Sequence, residues 1–99
     1  MQSKERANLR GEAHHLQPLV HIGHQGVTDS VVQAADDLLR TRELVKVDVS
    51  RNLDAPVKEI ARALAEATRS EVVQVIGRKV TIFRDNPELE WKDNIPPWR

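Results

Sequence analysis

The chain has 99 residues, and its fifteen basic and fifteen acidic side chains cancel to a formal net charge of zero. Leu, Ile, Val and Phe supply 27 residues, more than a disordered chain carries, and the length suits a single domain with one core. The absence of cysteine excludes disulfide frameworks, thiolate zinc sites and cysteine nucleophiles, and the longest apolar run, Ala63-Leu64-Ala65, is far too short to span a membrane.

From Ser3 to about Leu16 the pattern predicts a helix. Leu9, Ala13 and Leu16 recur at i, i+4 and i+7, Ser3 is a candidate N-cap, and Glu5 and Arg6 fall in the first turn. Beside that apolar stripe, Arg6, Arg10 and His14 follow at i, i+4 and i+8 and form a donor-rich edge. Gly11 weakens the helix by about 1 kcal/mol relative to alanine, so packing has to hold it.

Pro18 ends the helical register, and Leu19-Val20-His21-Ile22 reads as a short strand. Gly23-His24-Gln25-Gly26 follows, and then a second helix. Thr28 is its N-cap, Val27 and Val32 stand at the positions of a hydrophobic staple, and Asp29 suits the first turn. Val31, Ala35, Leu38 and Leu39 form its buried face.

Leu44 to Val49 alternates cleanly. Val45, Val47 and Val49 share one face, and Lys46 and Asp48 share the other, which is open to solvent or a ligand. After the polar turn Arg51-Asn52-Leu53-Asp54, a third helix opens with Pro56 at its first position and buries Val57, Ile60, Ala61, Leu64 and Ala65. Val72–Ile76 and Val80–Phe83, joined by Gly77-Arg78-Lys79, read as a hairpin.

The expected fold is α+β, in the order α-β-α-β-α-β-β, with helices packed on a four-stranded mixed sheet. Residues 1–84 form the domain. Residues 85–99 form a Pro-containing acidic tail of net charge −2, against +2 for the rest, with Trp91 and Trp98 placed to tack it down.

The glycine pair is the most informative feature. Strand, Gly-x-x-Gly and helix N-terminus come in direct succession, so the turn can be tight and the positive pole of the helix points over it, a geometry suited to phosphate. Spacing by itself fits a plain strand-to-helix turn as well. No Gly-Lys-Ser/Thr follows, so the loop is not a nucleotide-triphosphate site, and the dinucleotide Gly-x-Gly-x-x-Gly spacing is absent.

Other chemistries find little support. His14, His15, His21 and His24 lack partners at ligand spacing, which argues against a metal site. Ser3, Ser30, Ser50 and Ser70 sit at element boundaries, where capping accounts for them, and Asp36 and Asp37 diverge on their helix. Lys58, Arg62 and Arg69, with Glu59 and Glu66 beside them, read as a solvated, salt-bridged face. Lys46, Arg78, Lys79 and Arg84 fit edge-strand charge as well as they fit nucleic-acid contacts. With Phe83 the single aromatic inside the fold, base stacking on the sheet is not expected.

Three stretches, in order, carry a family resemblance: Ala13 to Thr28 around the glycine pair, Glu43-Leu44-Val45-Lys46-Val47, and Gln74 to Arg84. Together they resemble the CRM domain (chloroplast RNA splicing and ribosome maturation), whose bacterial stand-alone members are YhbY-like ribosome-associated proteins. The resemblance implies a domain similar to the C-terminal domain of bacterial initiation factor three. It also implies RNA binding through the Gly-x-x-Gly loop and nearby basic residues, association with the precursor of the large ribosomal subunit, and no catalytic activity or cofactor. The motif falls on Gly23, His24, Gln25 and Gly26, followed by Thr28, with Arg6, Arg10, His14, Lys46 and Lys79 as the candidate RNA-binding neighbours. Two departures stand out: many family loops carry a lysine or arginine between the glycines, and basic members are common where this chain is neutral.

The expectation is therefore a monomeric, cytoplasmic RNA-binding protein with no apolar signal core at its N-terminus, no membrane or small-molecule partner, and no catalytic or metal-binding residues. The alternative is a protein–protein adaptor of the same fold, using a sheet face or the tail.

Overall fold

A computed structural model describes residues 3–89, 91, 96 and 98. The elements are α1 (Ser3–Ala13), β1 (Val20–Ile22), α2 (Asp29–Arg42), β2 (Leu44–Val49), α3 (Val57–Thr68), β3 (Glu71–Ile76) and β4 (Lys79–Phe83). The sheet order is β1-β2-β4-β3. β1 runs parallel to β2, whereas β4 is antiparallel to both β2 and β3. This is the expected α+β architecture with a mixed sheet.

The alternation in β2 sorts the two sheet faces. Val45, Val47 and Val49 join Val20, Ile22, Val80 and Ile82 in a core closed by Ala35 and Leu39 of α2 and Ala61 and Leu64 of α3. Burying a Val or Leu of this kind contributes about 1.5–3 kcal/mol, so this layer carries most of the cohesion. On the opposite face a smaller cluster joins Leu9 of α1 to Leu44 and Val73, with Leu16, Phe83 and Trp98 packed on it. Helix α1 lies across β2 and β3 and does not cover the β1 side of that face.

Several boundaries differ from expectation for local reasons. Helix α1 ends at Ala13, where His15 N–H bonds to Glu12 O at 3.0 Å and Leu16 N–H to Ala13 O at 3.2 Å, closing a tight final turn. His14 therefore leaves the stripe predicted for it, and Ser3 lies inside the helix instead of capping it. Pro56 is the N-cap of α3 with φ −60° and ψ 132°, so the helix begins one residue later than expected. The hairpin loop is Gly77-Arg78 alone, because Ile76 and Lys79 already pair across the strands. Gly77 has φ +58°, the positive value that a type II′ connection asks of its first central residue.

Two features escaped the periodicity reading. Glu43 is fully buried with φ +65°, and its carboxylate accepts from Asn86 N at 2.7 Å and from Trp98 Nε1 at 2.9 Å. Trp98 also meets Phe83 and Trp91 edge-on, each at 6.5 Å between ring centroids. These contacts hold the described part of the tail to the body through both tryptophans. Second, Arg84 spans α2, α3 and β4, with Nη1 donating to Asp36 Oδ1 and to Thr68 O, both at 2.7 Å. That single guanidinium closes the end of the domain opposite the glycine loop.

Candidate nucleic-acid interface

Parallel pairing of β1 with β2 brings the glycine loop, the loop after β2 and the β3–β4 hairpin to one end of the sheet. Ser50 N–H donates to Ile22 O at 2.8 Å, carrying the β2 exit alongside the β1 exit. The glycine loop is a tight turn closed by Gly26 N–H to Gly23 O at 3.0 Å, with His24 and Gln25 exposed at its tip. Thr28 caps α2 as expected, its Oγ1 accepting from Val31 N at 3.2 Å. Among the described residues, the backbone N–H groups of His24, Gln25, Asp29 and Ser30 have no intramolecular acceptor, which leaves unsatisfied donors in the turn and the first helical residues.

The two glycines serve different ends. Gly26 is buried with φ +78°, a left-handed conformation that side-chain-bearing residues adopt at a cost of about 1–2 kcal/mol. A Cβ there would touch Leu53 Cδ1 at an ordinary 3.8 Å, so the constraint is backbone torsion and not space. At Gly23 a Cβ would meet nothing within 4 Å, and its φ is not positive. The fold does not require glycine there, and what the residue supplies is bare backbone beneath open space.

Beside the loop, a cross-strand row runs over three strands on the open sheet face. His21, Asp48 and Lys79 are aligned by register, with His21 Nδ1 3.0 Å from Asp48 Oδ2 and Lys79 Nζ paired to Asp48 Oδ1. The hydrogen bond from Lys79 chiefly, and that from His21, hold the Asp48 carboxyl below its ordinary pKa, against the smaller opposing effect of burial. Arg78 fixes the hairpin to the β2 exit, its Nε donating to Val49 O at 3.0 Å and its Nη2 to Ser50 O. These side chains and Arg51 line a shallow depression of about 470 Å³.

The predicted cations scatter. Lys79 reaches this end, but its ammonium is bound to Asp48. Lys46 lies on the same face with Nζ 3.3 Å from Ala13 O, where it stabilises the C-terminus of α1. Arg6 and Arg10 are not neighbours of the loop. Helix α1 packs toward β3, and β3 and β1 are opposite edges of the sheet, about 14 Å apart at three strand spacings. Arg6 Nη1 is bound to Val72 O at 2.7 Å. His14 is exposed in the turn after α1.

His21 and Arg51, outside the candidate set read from the sequence, also line this depression. Arg51 stands two residues past β2, and only the parallel β1–β2 pairing shows that its loop flanks the glycine turn. Among the described residues, no three His, Cys, Asp or Glu side chains gather as metal ligands, and no helix is long and apolar enough to cross a membrane.

The CRS1/YhbY (CRM) domain family matches residues 1–84, which include the glycine loop, its flanking strand and helix, and the hairpin. The chain belongs to this family. A Bacillus subtilis relative bearing the name "Probable RNA-binding protein YqeI" is 35% identical over 85 residues, covering 86% of this chain and 88% of the relative. A Haemophilus influenzae protein named RNA-binding protein is 34% identical over 97 residues, covering 97% and 95%. The solution structure of the Staphylococcus aureus protein SAV1595, described as a candidate RNA-binding protein, superposes with a TM-score of 0.78 at 41% identity and covers 91% of this chain and 94% of that one. These CRM relatives are named for RNA binding and not for an enzymatic activity.

Proposed function

We propose that this chain binds structured RNA by gripping the backbone at the Gly23–Gly26 loop. The observation that carries the reading is the open, Cβ-free backbone at Gly23, where the fold itself makes no demand for glycine. A phosphate over the turn would accept from the unsatisfied N–H groups and meet the positive pole of α2. Arg51 and His21 extend the donor set along the depression, with Arg78 supplying positive charge from a fixed position. Thr28 acts indirectly, by holding the first turn of α2.

The finer reading is ribosomal RNA of the large-subunit precursor, as the CRM resemblance implies, with RNA shape setting specificity in place of base-edge contacts. His24 and Gln25 bring no fixed charge to the loop tip, so few phosphates are neutralised and the salt slope is shallow, at about 0.7–0.9 per contact. A soluble cytoplasmic monomer completes the proposal.

The test is filter binding of large-subunit ribosomal RNA to the wild type and to Gly23→Asp. The substitution puts a carboxylate where phosphate would lie, at a site with room for it. Affinity should fall roughly tenfold or more, the size of one lost charge-assisted contact, with the melting temperature unchanged. Equal affinity in the folded variant overturns the loop assignment. Gly26→Asp would be a poorer probe, because positive φ confounds binding with folding.

A further inference from the structure

Apart from Arg51, the cations described at the glycine-loop end are engaged internally, and a larger group without such contacts lies elsewhere. Strand β3 is an edge of the sheet, so its outward row of backbone groups has no strand partner among the described residues. Arg6 covers the first part of that row by donating to Val72 O and Val73 O. Beyond it, from Gln74 to Ile76, the edge lies open along a groove of about 740 Å³ between α3 and β3.

The walls of this groove are predominantly cationic. Lys58 and Arg62 of α3 and its C-cap Arg69 stand on one side and Arg10 of α1 on the other, with Glu66 the one carboxylate among the described lining residues. The sequence pattern implied salt bridges along α3, yet none of Lys58, Glu59, Arg62, Glu66 or Arg69 forms an ion pair among the described residues. The floor is apolar, with Ala61, Ala65, Val72 and Val75. At its end Ile76 is 55% exposed, a large aliphatic side chain left uncovered by the described residues.

An open strand edge, an apolar floor and a cationic rim select for one kind of occupant. The edge offers main-chain hydrogen bonds to an extended chain, the floor takes alternate apolar side chains, and the rim takes carboxylates. Nucleic acid fits less well. Among the described residues no aromatic side chain lines the groove for base stacking, and aliphatic floor is wasted on a phosphate backbone. The same rim repels a second copy of this edge, which keeps the strand from pairing with itself.

We propose that the β3 edge is a docking site for an extended acidic protein segment, one alternating Asp or Glu with aliphatic residues, which adds to the sheet as a fifth strand beside Gln74–Ile76. This surface is separate from the glycine loop, and the proposal stands or falls independently of RNA binding there.

The experiment uses the full chain and three fluorescein-labelled probes: an octapeptide alternating Glu with Val, its Lys-for-Glu counterpart, and an octauridylate. Fluorescence anisotropy should show binding of the acidic peptide alone. The affinity should fall at least tenfold in the double variant Arg62→Glu/Arg69→Glu, whose exposed positions leave the fold intact. Amide hydrogen exchange should slow at Gln74–Ile76 on peptide binding and stay unchanged at the glycine loop. Four results overturn the proposal: no binding at about millimolar acidic peptide, equal binding of the basic peptide, unchanged exchange along β3, or octauridylate binding that the double variant abolishes. The last would make the groove an RNA surface.

Discussion

Apart from Arg51, the cations at the glycine-loop end of the sheet and those along its β3 edge are in opposite states. At the glycine-loop end, Arg78 is bound to the carbonyls of Val49 and Ser50, and Lys79 to the Asp48 carboxylate. Along the β3 edge, Arg10, Lys58, Arg62 and Arg69 have no such partners among the described residues. Counting basic residues therefore does not locate an interface. A guanidinium bound to neutral carbonyls keeps its charge and gains a fixed position, suiting one phosphate at one place. A lysine paired to a carboxylate is largely neutralised. Unpaired side chains on a helix remain adaptable and strongly screened by salt, suiting a partner with several carboxylates.

The difference can be broken by substitution. Removing Arg78 (Arg78→Ala) should cost about 2 kcal/mol in urea unfolding, since two charge-assisted bonds between hairpin and loop are lost. Arg62→Ala should stay within about 0.5 kcal/mol of the wild type. Equal effects would mean that the fixed and unfixed cations are not different in kind. Within the loop, Gly26→Ala should destabilise by about 1–2 kcal/mol because of its positive φ, and Gly23→Ala should leave thermal stability close to that of the wild type. A large loss at Gly23 would show that the open backbone there serves folding.

The smallest effect sharpens the comparison by pH. Lys79 and His21 depress the pKa of Asp48 in the folded protein, so this carboxylate's contribution is full above its ordinary pKa near 3.8. It is lost as the pH falls through the lower folded value. An acid unfolding series should show a slightly shallower acid limb in Asp48→Asn than in the wild type, and the gap should narrow at high salt because Asp48 is partly exposed. Identical limbs would mean that the cross-strand row contributes nothing to folding.

The elements were legible because each is encoded locally. Alternation in Val45, Val47 and Val49 marks a strand, the 3.6-residue pattern from Val57 to Ala65 marks a helix, and Thr28 marks the start of α2. Boundaries slipped where a few hydrogen bonds decide, as at Ala13 and Pro56. The candidate site was half legible. Gly23-His24-Gln25-Gly26 is contiguous and visible, whereas Arg51, His21 and Asp48 come together only through strand pairing. Arg6 and Arg10 lie toward the edge of the sheet away from the glycine loop, which the sequence could not show, because a helix pattern says which face is apolar and not which strands it covers. Glu43 gave no signal: a buried carboxylate is tolerated only where donors surround it, and its donors are Asn86 and the Trp98 indole, more than forty residues away.

What this sequence determined by itself is the set of helices and strands, the Gly-x-x-Gly turn between β1 and α2, and membership of the CRM family. Those properties rest on short-range sterics, periodicity and contiguous motifs. The strand order β1-β2-β4-β3 and the seat of α1 across β2 and β3 were decided by tertiary structure. That choice determines which cations spend their donors on carbonyls and carboxylates and which remain unpaired along an open edge. The pairing of charges is a matter of distance in the folded state, and neutral composition with evenly scattered Lys, Arg, Asp and Glu contains no record of it.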